Sequence, residues 1–371
     1  MKFIHIADLH LGKMLHGYSL IDIERELLKQ ITDYLREHED IKAVVIAGDV
    51  YDRSIPSQEA VNLLNDFLVT LIMKLHRKVL IISGNHDGAD RLNFGSEILK
   101  MEGLYIEGTL KEKINYVDID DVRFYLFPFV KPSGVAALFP DLPHGNYNEA
   151  VASYLSMQDF HTSLKKVMVT HQYVGHSAQV SDSECLLAVG GGEIVDPDLF
   201  DAFDYVALGH LHAPQYIKRE TLRYSGSLTK FSFDEAHQKK SFVVVDMNDF
   251  SLEFIPLKPS LDVRVLKGTL EELMSREDEH PDDLIAAELS DEKIIPHAID
   301  QLRTHYPHVL KITYPKLLGN EAVETKTLNE ISQMEPGALF EAFYKDVMGT
   351  DHVDEEYVNI IRRMFEGGEE Q

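Results

Sequence analysis

The chain predicts an α/β fold built on a mostly parallel sheet, and three observations carry that expectation. First, short apolar runs rich in β-branched residues, bounded by Gly or polar residues, recur along it and read as buried strands. Second, segments of helical period separate the first three runs, giving a βαβαβ order. Third, five of these runs stop at a residue able to hold a metal. Phe3–Ala7 runs into Asp8 and His10, Ala43–Ala47 into Gly48 and Asp49, and Val79–Ile82 into Asn85, His86 and Asp87. Val167–Val169 runs into Thr170 and His171, and Tyr205–Leu208 into Gly209, His210 and His212. In open α/β sheets the ligand crevice lies at the carboxyl ends of the strands, so distant positions are expected to meet at one site.

The elements follow in order. Ile23, Leu27, Leu28, Ile31 and Leu35 share one face of a helix expected over Ile21 to Glu37. A second helix is expected from near Pro56, a good first-turn residue, to about Leu75. Tyr116 to Phe129 reads as two strands, Pro132 to Gly145 as a surface loop, and Asn146 to His161 as a helix. Ser181 to Gly192 is expected to be a loop near the site. Strands around Tyr224 and at Ser241–Asp246 are expected to close a second sheet. Pro256 and Pro259 mark a boundary. Beyond it, strands at Asp262–Leu266, Leu284–Leu289 and Val309–Tyr314 alternate with helices at Leu270–Met274 and Pro296–His305. In the tail, Leu339, Phe340, Phe343, Tyr344, Val347 and Met348 form one apolar helical stripe. Tyr357, Ile360, Ile361, Met364 and Phe365 form another, and the pair suits either docking back onto the chain's own cap or a partner-binding helical hairpin, the second being the expectation adopted. The division expected is residues 1–258 catalytic, 259–318 a small α+β unit and 319–371 a helical tail.

The residue types dictate the chemistry. Asp8 and His10 are two apart, as are His210 and His212, so at a strand end each pair leaves on one side. Asp49 follows Gly48, which allows a sharp turn, and its two oxygens can bridge two cations. Asn85 adds a neutral amide oxygen. The metal ligands expected are therefore Asp8, His10, Asp49, Asn85, His171, His210 and His212. Mixed oxygen and nitrogen donors suit Mn²⁺, Fe or Zn²⁺, and the wealth of oxygen without thiolate favours two Mn²⁺ ions. Paired cations clamp the attacking and leaving oxygens at phosphorus and generate hydroxide near neutral pH. A proton donor for the leaving oxygen is still required, and His86 is assigned that role, with Asp87 as its orienter. The reaction expected is metal-assisted phosphoester hydrolysis.

Asp-x-His, Gly-Asp, Gly-Asn-His-Asp, Thr-His and Gly-His-x-His, in that order, resemble the calcineurin-like metallophosphoesterases. The wording of residues 1–12, 48–53, 204–212, 223–227 and 232–241 narrows this to a resemblance to the SbcD family, the nuclease subunits of bacterial SbcCD complexes. The likeness is tight over about the first 260 residues and looser beyond. It implies a four-layer α/β/β/α sandwich, with residues 259–318 a cap that helps select DNA shape. One metal would be held by Asp8, His10, Asp49 and His212, the other by Asp49, Asn85, His171 and His210, with His86 catalytic. It also implies Mn²⁺-dependent exonuclease action on duplex ends and endonuclease action at hairpins, in DNA repair and recombination. The partner implied is an SbcC-type ABC ATPase docked on the C-terminal helices, with the chain a homodimer inside a heterotetramer. Asp52 departs from archaeal and eukaryotic relatives, which carry a histidine there, so their end-processing role does not transfer to it.

Composition sets limits. With 44% hydrophobic and 26% charged residues the chain is an ordinary globular sequence, and no apolar run is long enough to span a membrane. The N-terminus opens directly into an expected ligand-bearing strand, so no signal peptide is expected. Cys185 is the sole cysteine, so a cytoplasmic protein without an internal disulfide is expected. No phosphate-loop motif follows Gly190–Gly192, so no ATP site is expected in this chain. The net charge of −26 repels nucleic acid at long range. Bound cations and a partner protein are the two ways to offset it. Two other readings are a stand-alone phosphodiesterase or protein phosphatase on the same fold, and a DNA-end-tethering scaffold.

Overall fold

A computed structural model describes residues 1–175, 181, 184 and 193–315. The expected helical tail and most of the expected loop at 181–192 lie outside the described residues. Two six-stranded sheets form the centre. In the first the spatial order is Ser251–Pro256, Ser241–Asp246, Lys2–Ile6, Ile41–Ala47, Lys78–Ile82 and Leu104–Glu107. The last four strands are parallel, while Ser241–Asp246 runs antiparallel to Lys2–Ile6. The second sheet runs Gln215–Ile217, Arg219–Tyr224, Tyr205–Gly209, Lys165–His171, Val122–Phe127 and Asn115–Ile119.

The period of two along each strand builds the layers. Phe3, Val45, Leu80 and Ile82 face Phe124, Leu126, Val167 and Ala207 across the space between the sheets. The alternate residues Ile4, Ile6, Val44, Ile46, Val79 and Ile81 face outward onto the helices Ile21–Glu37 and Gln58–Val69. On the other side, Tyr125, Phe127, Met168, Val206 and Leu208 pack with Ala150, Val151 and Tyr154 of the helix Tyr147–Ser156. The result is the α/β/β/α sandwich. His5 crosses the apolar middle layer, its ring nitrogens 3.0 Å from the Tyr205 hydroxyl and 3.2 Å from the Leu208 carbonyl, so it adds a polar tie between the sheets.

Residues 263–313 carry a separate three-stranded parallel sheet, ordered Val263–Gly268, Leu284–Leu289 and Val309–Thr313. One of its faces has its own core around Leu273, Leu289, Leu302 and Tyr306. Val263, Leu284 and Ala286 instead join the outer core beside Leu228, Phe231 and Phe233. Lys230 reinforces that join by donating to Asp262 at 2.9 Å and to the Ala236 carbonyl at 2.9 Å.

Two expectations are corrected. Ser241–Asp246 belongs to the first sheet, not the second, because its inward residues Val243 and Val245 complete the layer beside Phe3. Pro132 to Gly145 is not all loop: Pro132–Leu138 is a helix, with Pro132 in its first turn and Val135 buried.

Candidate metal centre

The strands deliver the expected ligands to one place. Asp8, His10 and Asp49 follow Lys2–Ile6 and Ile41–Ala47, Asn85 follows Lys78–Ile82, and His171, His210 and His212 lie at the ends of two second-sheet strands. One ligand atom each from Asp8, His10 and His212 lies within 4.8 Å of the others. The same holds for Asp8, Asp49 and His171, and for His10, Asp49 and His86. Asp49 is common to the last two groups and Asp8 to the first two. Asp49 Oδ2 stands 3.5 Å from Nε2 of His10 and 3.3 Å from Nε2 of His171. Asn85 Oδ1 is 3.0 Å from His171 Nε2 and 3.0 Å from His210 Nδ1. His10 Nε2 and His212 Nε2 are 3.2 Å apart.

Backbone geometry at these strand ends is unusual. Asp8, His10, Asp49 and His210 all have positive φ, at 52°, 43°, 47° and 107°. Such values are uncommon outside Gly and cost of order 1–3 kcal/mol each. Gly48 itself turns at φ 85°. Gly84 is needed for space, since a Cβ there would fall 2.1 Å from Asp49 Oδ1. The Asp8 and Asp49 loops hold each other: Asp8 N–H donates to the Gly48 carbonyl at 3.1 Å, and His10 N–H to the Asp49 carbonyl at 2.9 Å.

Hydrogen bonds fix which atoms are left for a ligand. His171 Nδ1 donates to the Ala47 carbonyl at 2.8 Å, which turns Nε2 towards Asp49 and Asn85. Asp8 Oδ1 accepts the His210 N–H at 2.9 Å, while its Oδ2 is buried with no hydrogen-bond partner. An orphaned buried carboxylate oxygen is costly unless something charged occupies the space beside it. Burial and the neighbouring Asp49 accordingly push the Asp8 carboxyl well up. For Asp49, burial opposes ionisation, but the imidazoles of His171, His10 and His86 outweigh it and hold the carboxyl well below the usual range. Burial lowers His171 too, yet Asp49 and Asp8 raise it to about 9. Burial, then His171, pushes His210 down to about 3, and burial lowers His10 and His212. Two buried carboxylates, set among imidazoles three of which burial keeps from charging, mark a place built for a cation. The donor set, all oxygen and imidazole, fits hard or borderline divalent ions.

His86 is half-buried at the rim. Its N–H donates to Asp49 Oδ1 at 2.9 Å, and its Nδ1 lies 3.0 Å from the Asp52 carbonyl. Asp87 does not orient it. The Asp87 carboxylate accepts backbone N–H groups from Gly84 at 2.9 Å, Val50 at 3.1 Å and Tyr51 at 3.0 Å. Asp87 therefore ties the Asp49 loop to the Asn85 loop, with burial and Asp49 pushing its carboxyl up to about 6. Asp52 takes over next to His86 through its carbonyl, and its carboxylate pairs with Lys13 at 2.8 Å.

Sequence reasoning assigned no role to Glu184, Glu235 or Lys240. The backbone N–H of His212 donates to the Glu184 carboxylate, and its Nδ1 lies 3.4 Å from Glu235 Oε1. Burial raises Glu184 to about 7. The signal present in the sequence was Asp-Glu shortly before Lys-Lys at 234–240, which carried wording but no spacing rule.

The calcineurin-like phosphoesterase family model matches residues 1–214. A second family model, described as the Type 5 capsule protein repressor C-terminal domain, matches residues 259–348. The chain is 32% identical over 374 residues to the SbcD subunit of the nuclease SbcCD from Staphylococcus epidermidis (strain ATCC 12228 / FDA PCI 1200), covering 98% of each. Among the described residues no helix is long and apolar enough to cross a membrane. With a family model over more than half its length and a relative matched almost end to end, the chain belongs to the calcineurin-like phosphoesterases, metal-dependent enzymes of phosphodiester hydrolysis, and within them to the SbcD nuclease subunits.

Proposed function

We propose that this chain is an Mn²⁺-dependent DNA nuclease, acting on duplex ends and hairpins together with an SbcC-type ABC ATPase. The observation that carries the catalytic part is the convergence of Asp49 Oδ2 and Asn85 Oδ1 on His171 Nε2, at 3.3 Å and 3.0 Å, in a centre that also holds the orphaned Oδ2 of Asp8. Asp8, His10, Asp49 and His212 would hold one ion, and Asp49, Asn85, His171 and His210 the other. Bound there, the pair supplies Lewis acidity towards a phosphoryl oxygen and a water acidic enough to ionise near neutral pH.

The chain's own groups do the rest. Asp49 lies between the two ligand sets. His86, anchored through its N–H to Asp49 and through Nδ1 to the Asp52 carbonyl, presents Nε2 at the rim. From there it donates a proton to the departing oxygen. Lys13 and Arg53 flank Asp52, 2.8 Å and 3.5 Å away, as cations within reach of an incoming phosphate. Residues 1–258 form the catalytic part in this reading, 259–318 a cap and 319–371 the ATPase-docking tail, with two chains in the working complex.

The test is incubation of the purified chain and Mn²⁺ with labelled linear duplex and hairpin DNA, with Asp49→Ala as control. Shortening that requires both Mn²⁺ and Asp49 supports the reading. Intact DNA, with and without the ATPase, alongside cleavage of a small phosphodiester or phosphopeptide, would replace it with a stand-alone phosphodiesterase or phosphatase. Deleting residues 335–371 should spare hydrolysis and abolish ATPase binding; retained binding would move the docking site elsewhere.

A further inference from the structure

Glu235 and Lys240 form an ion pair at 2.6 Å, with side chains 0% and 4% exposed, directly behind a metal ligand. Lys240 Nζ also donates to the His212 carbonyl at 2.9 Å, to Ser227 Oγ at 2.8 Å and to Gln238 Oε1 at 2.6 Å. It thus grips the backbone of the ligand-bearing residue. Glu235 divides its oxygens: Oε2 takes Lys240, and Oε1 lies 3.4 Å from His212 Nδ1 and accepts from the Ser232 hydroxyl at 3.1 Å. A buried ion pair is a weak source of stability, because dehydrating both charges offsets their attraction. Its placement points to another use. Imidazole ligands are commonly held in one tautomer by an acceptor on the far nitrogen, and that acceptor tunes the ligand's basicity.

We infer that Glu235, paired with Lys240, is the positioning residue that fixes His212 with its proton on Nδ1 and its lone pair on Nε2, facing His10 and Asp8. This rests on the metal-centre reading above. The pairing explains why a carboxylate is required. Donors approach both oxygens of one group, the Lys240 ammonium at Oε2 and His212 Nδ1–H with the Ser232 and Ser181 hydroxyls at Oε1, and only a carboxylate accepts on both sides. Glutamine accepts on one side only. Beside Lys240 its oxygen turns to the ammonium, and its NH₂ then faces His212 Nδ1. A donor there forces the ring proton onto Nε2, the nitrogen meant for the metal. Removing the ammonium as well frees the amide oxygen to turn back to His212.

The test uses the full chain and Mn²⁺ alone, with binding followed by electron paramagnetic resonance and equilibrium dialysis, and folding by metal-free thermal melts. In the wild type two ions should bind. Glu235→Gln should weaken one site about tenfold to a hundredfold and leave the other. The double variant Glu235→Gln with Lys240→Met should recover most of that loss, even where its metal-free melting temperature falls below that of either parent. A purely structural pair predicts the reverse: the double variant no better than Glu235→Gln, with affinity tracking the melt. Wild-type affinity in Glu235→Gln, or no recovery in the double variant, overturns the inference while leaving the metal centre in place. Absence of Mn²⁺ binding by the wild type overturns both. Should Glu235→Gln fail to fold, the double variant decides, since it holds no unpaired buried ammonium.

Discussion

The two sheets meet at the same centre but equip it differently. The first contributes mainly oxygen: Asp8, Asp49 and Asn85, with His10 and the rim residue His86. The second contributes three imidazoles, His171, His210 and His212. The oxygen side is held by the chain's own backbone, through the Asp8–Gly48 and His10–Asp49 hydrogen bonds and the three N–H groups on Asp87. On the imidazole side, acceptors behind the rings hold His171 and His212: the Ala47 carbonyl for one and Glu235 for the other. A carboxylate needs only placing, because either oxygen can bind. An imidazole must also be given the correct tautomer.

The largest effect should come from the residue that serves both sets. Asp49→Ala should lose both ions and cut turnover by at least about a thousandfold. His210→Ala, on the imidazole side, should lose one ion and retain the other, so ion counting separates the two. Equal losses would show that the sets are not distinct. His86→Gln comes next: both ions retained, turnover down by about a hundredfold to ten-thousandfold. Loss of metal in that variant would make His86 a ligand and not a proton donor.

A smaller effect concerns pH without metal. Asp49 and Asp8 raise His171 in the folded chain from 6.5 to about 9, so folding takes up a proton there. The stability this supplies is fully present below about pH 6.5 and is lost as pH rises through 9. Melts of the chelated chain should therefore fall between these values, and saturating Mn²⁺, which replaces the proton, should flatten the slope. A chelated chain equally stable at both ends would remove His171 from this account.

The oxygen side was the more legible in the sequence. Asp-x-His and Gly-Asp each follow a strongly apolar run, and the ends of parallel strands meet whatever the length of chain between them. The imidazoles were found by the same rule. Their support was not, because the Ala47 carbonyl has no sequence signature, and Glu235 with Lys240 lies in an irregular segment with no period to read. Asp87 misled for a related reason. Adjacency to His86 suggested a pair, but the tight turn after Gly84 sends the carboxylate back to the loop carrying Val50 and Tyr51. The placement of Ser241–Asp246 was equally hidden, since a buried run states that it is covered on both faces without stating by which sheet.

The smallest effect expected belongs to the strained ligands. Asp49→Asn tolerates the left-handed backbone but removes the carboxylate that stands 3.3 Å from His171 Nε2, and should lower the metal-free stability near neutral pH by about 1 kcal/mol. An unchanged or higher chemical or thermal midpoint would show that the Asp49 carboxylate supplies no stability without metal. The positive φ values at Asp8, His10, Asp49 and His210 have a consequence for engineering. These four positions favour the few side chains at ease in that backbone, chiefly Gly, Asn, Asp and His, and impose on others a strain penalty of about 1–3 kcal/mol. Re-specifying the centre with thiolates is therefore disfavoured at those positions relative to His171 and His212, whose φ is not positive.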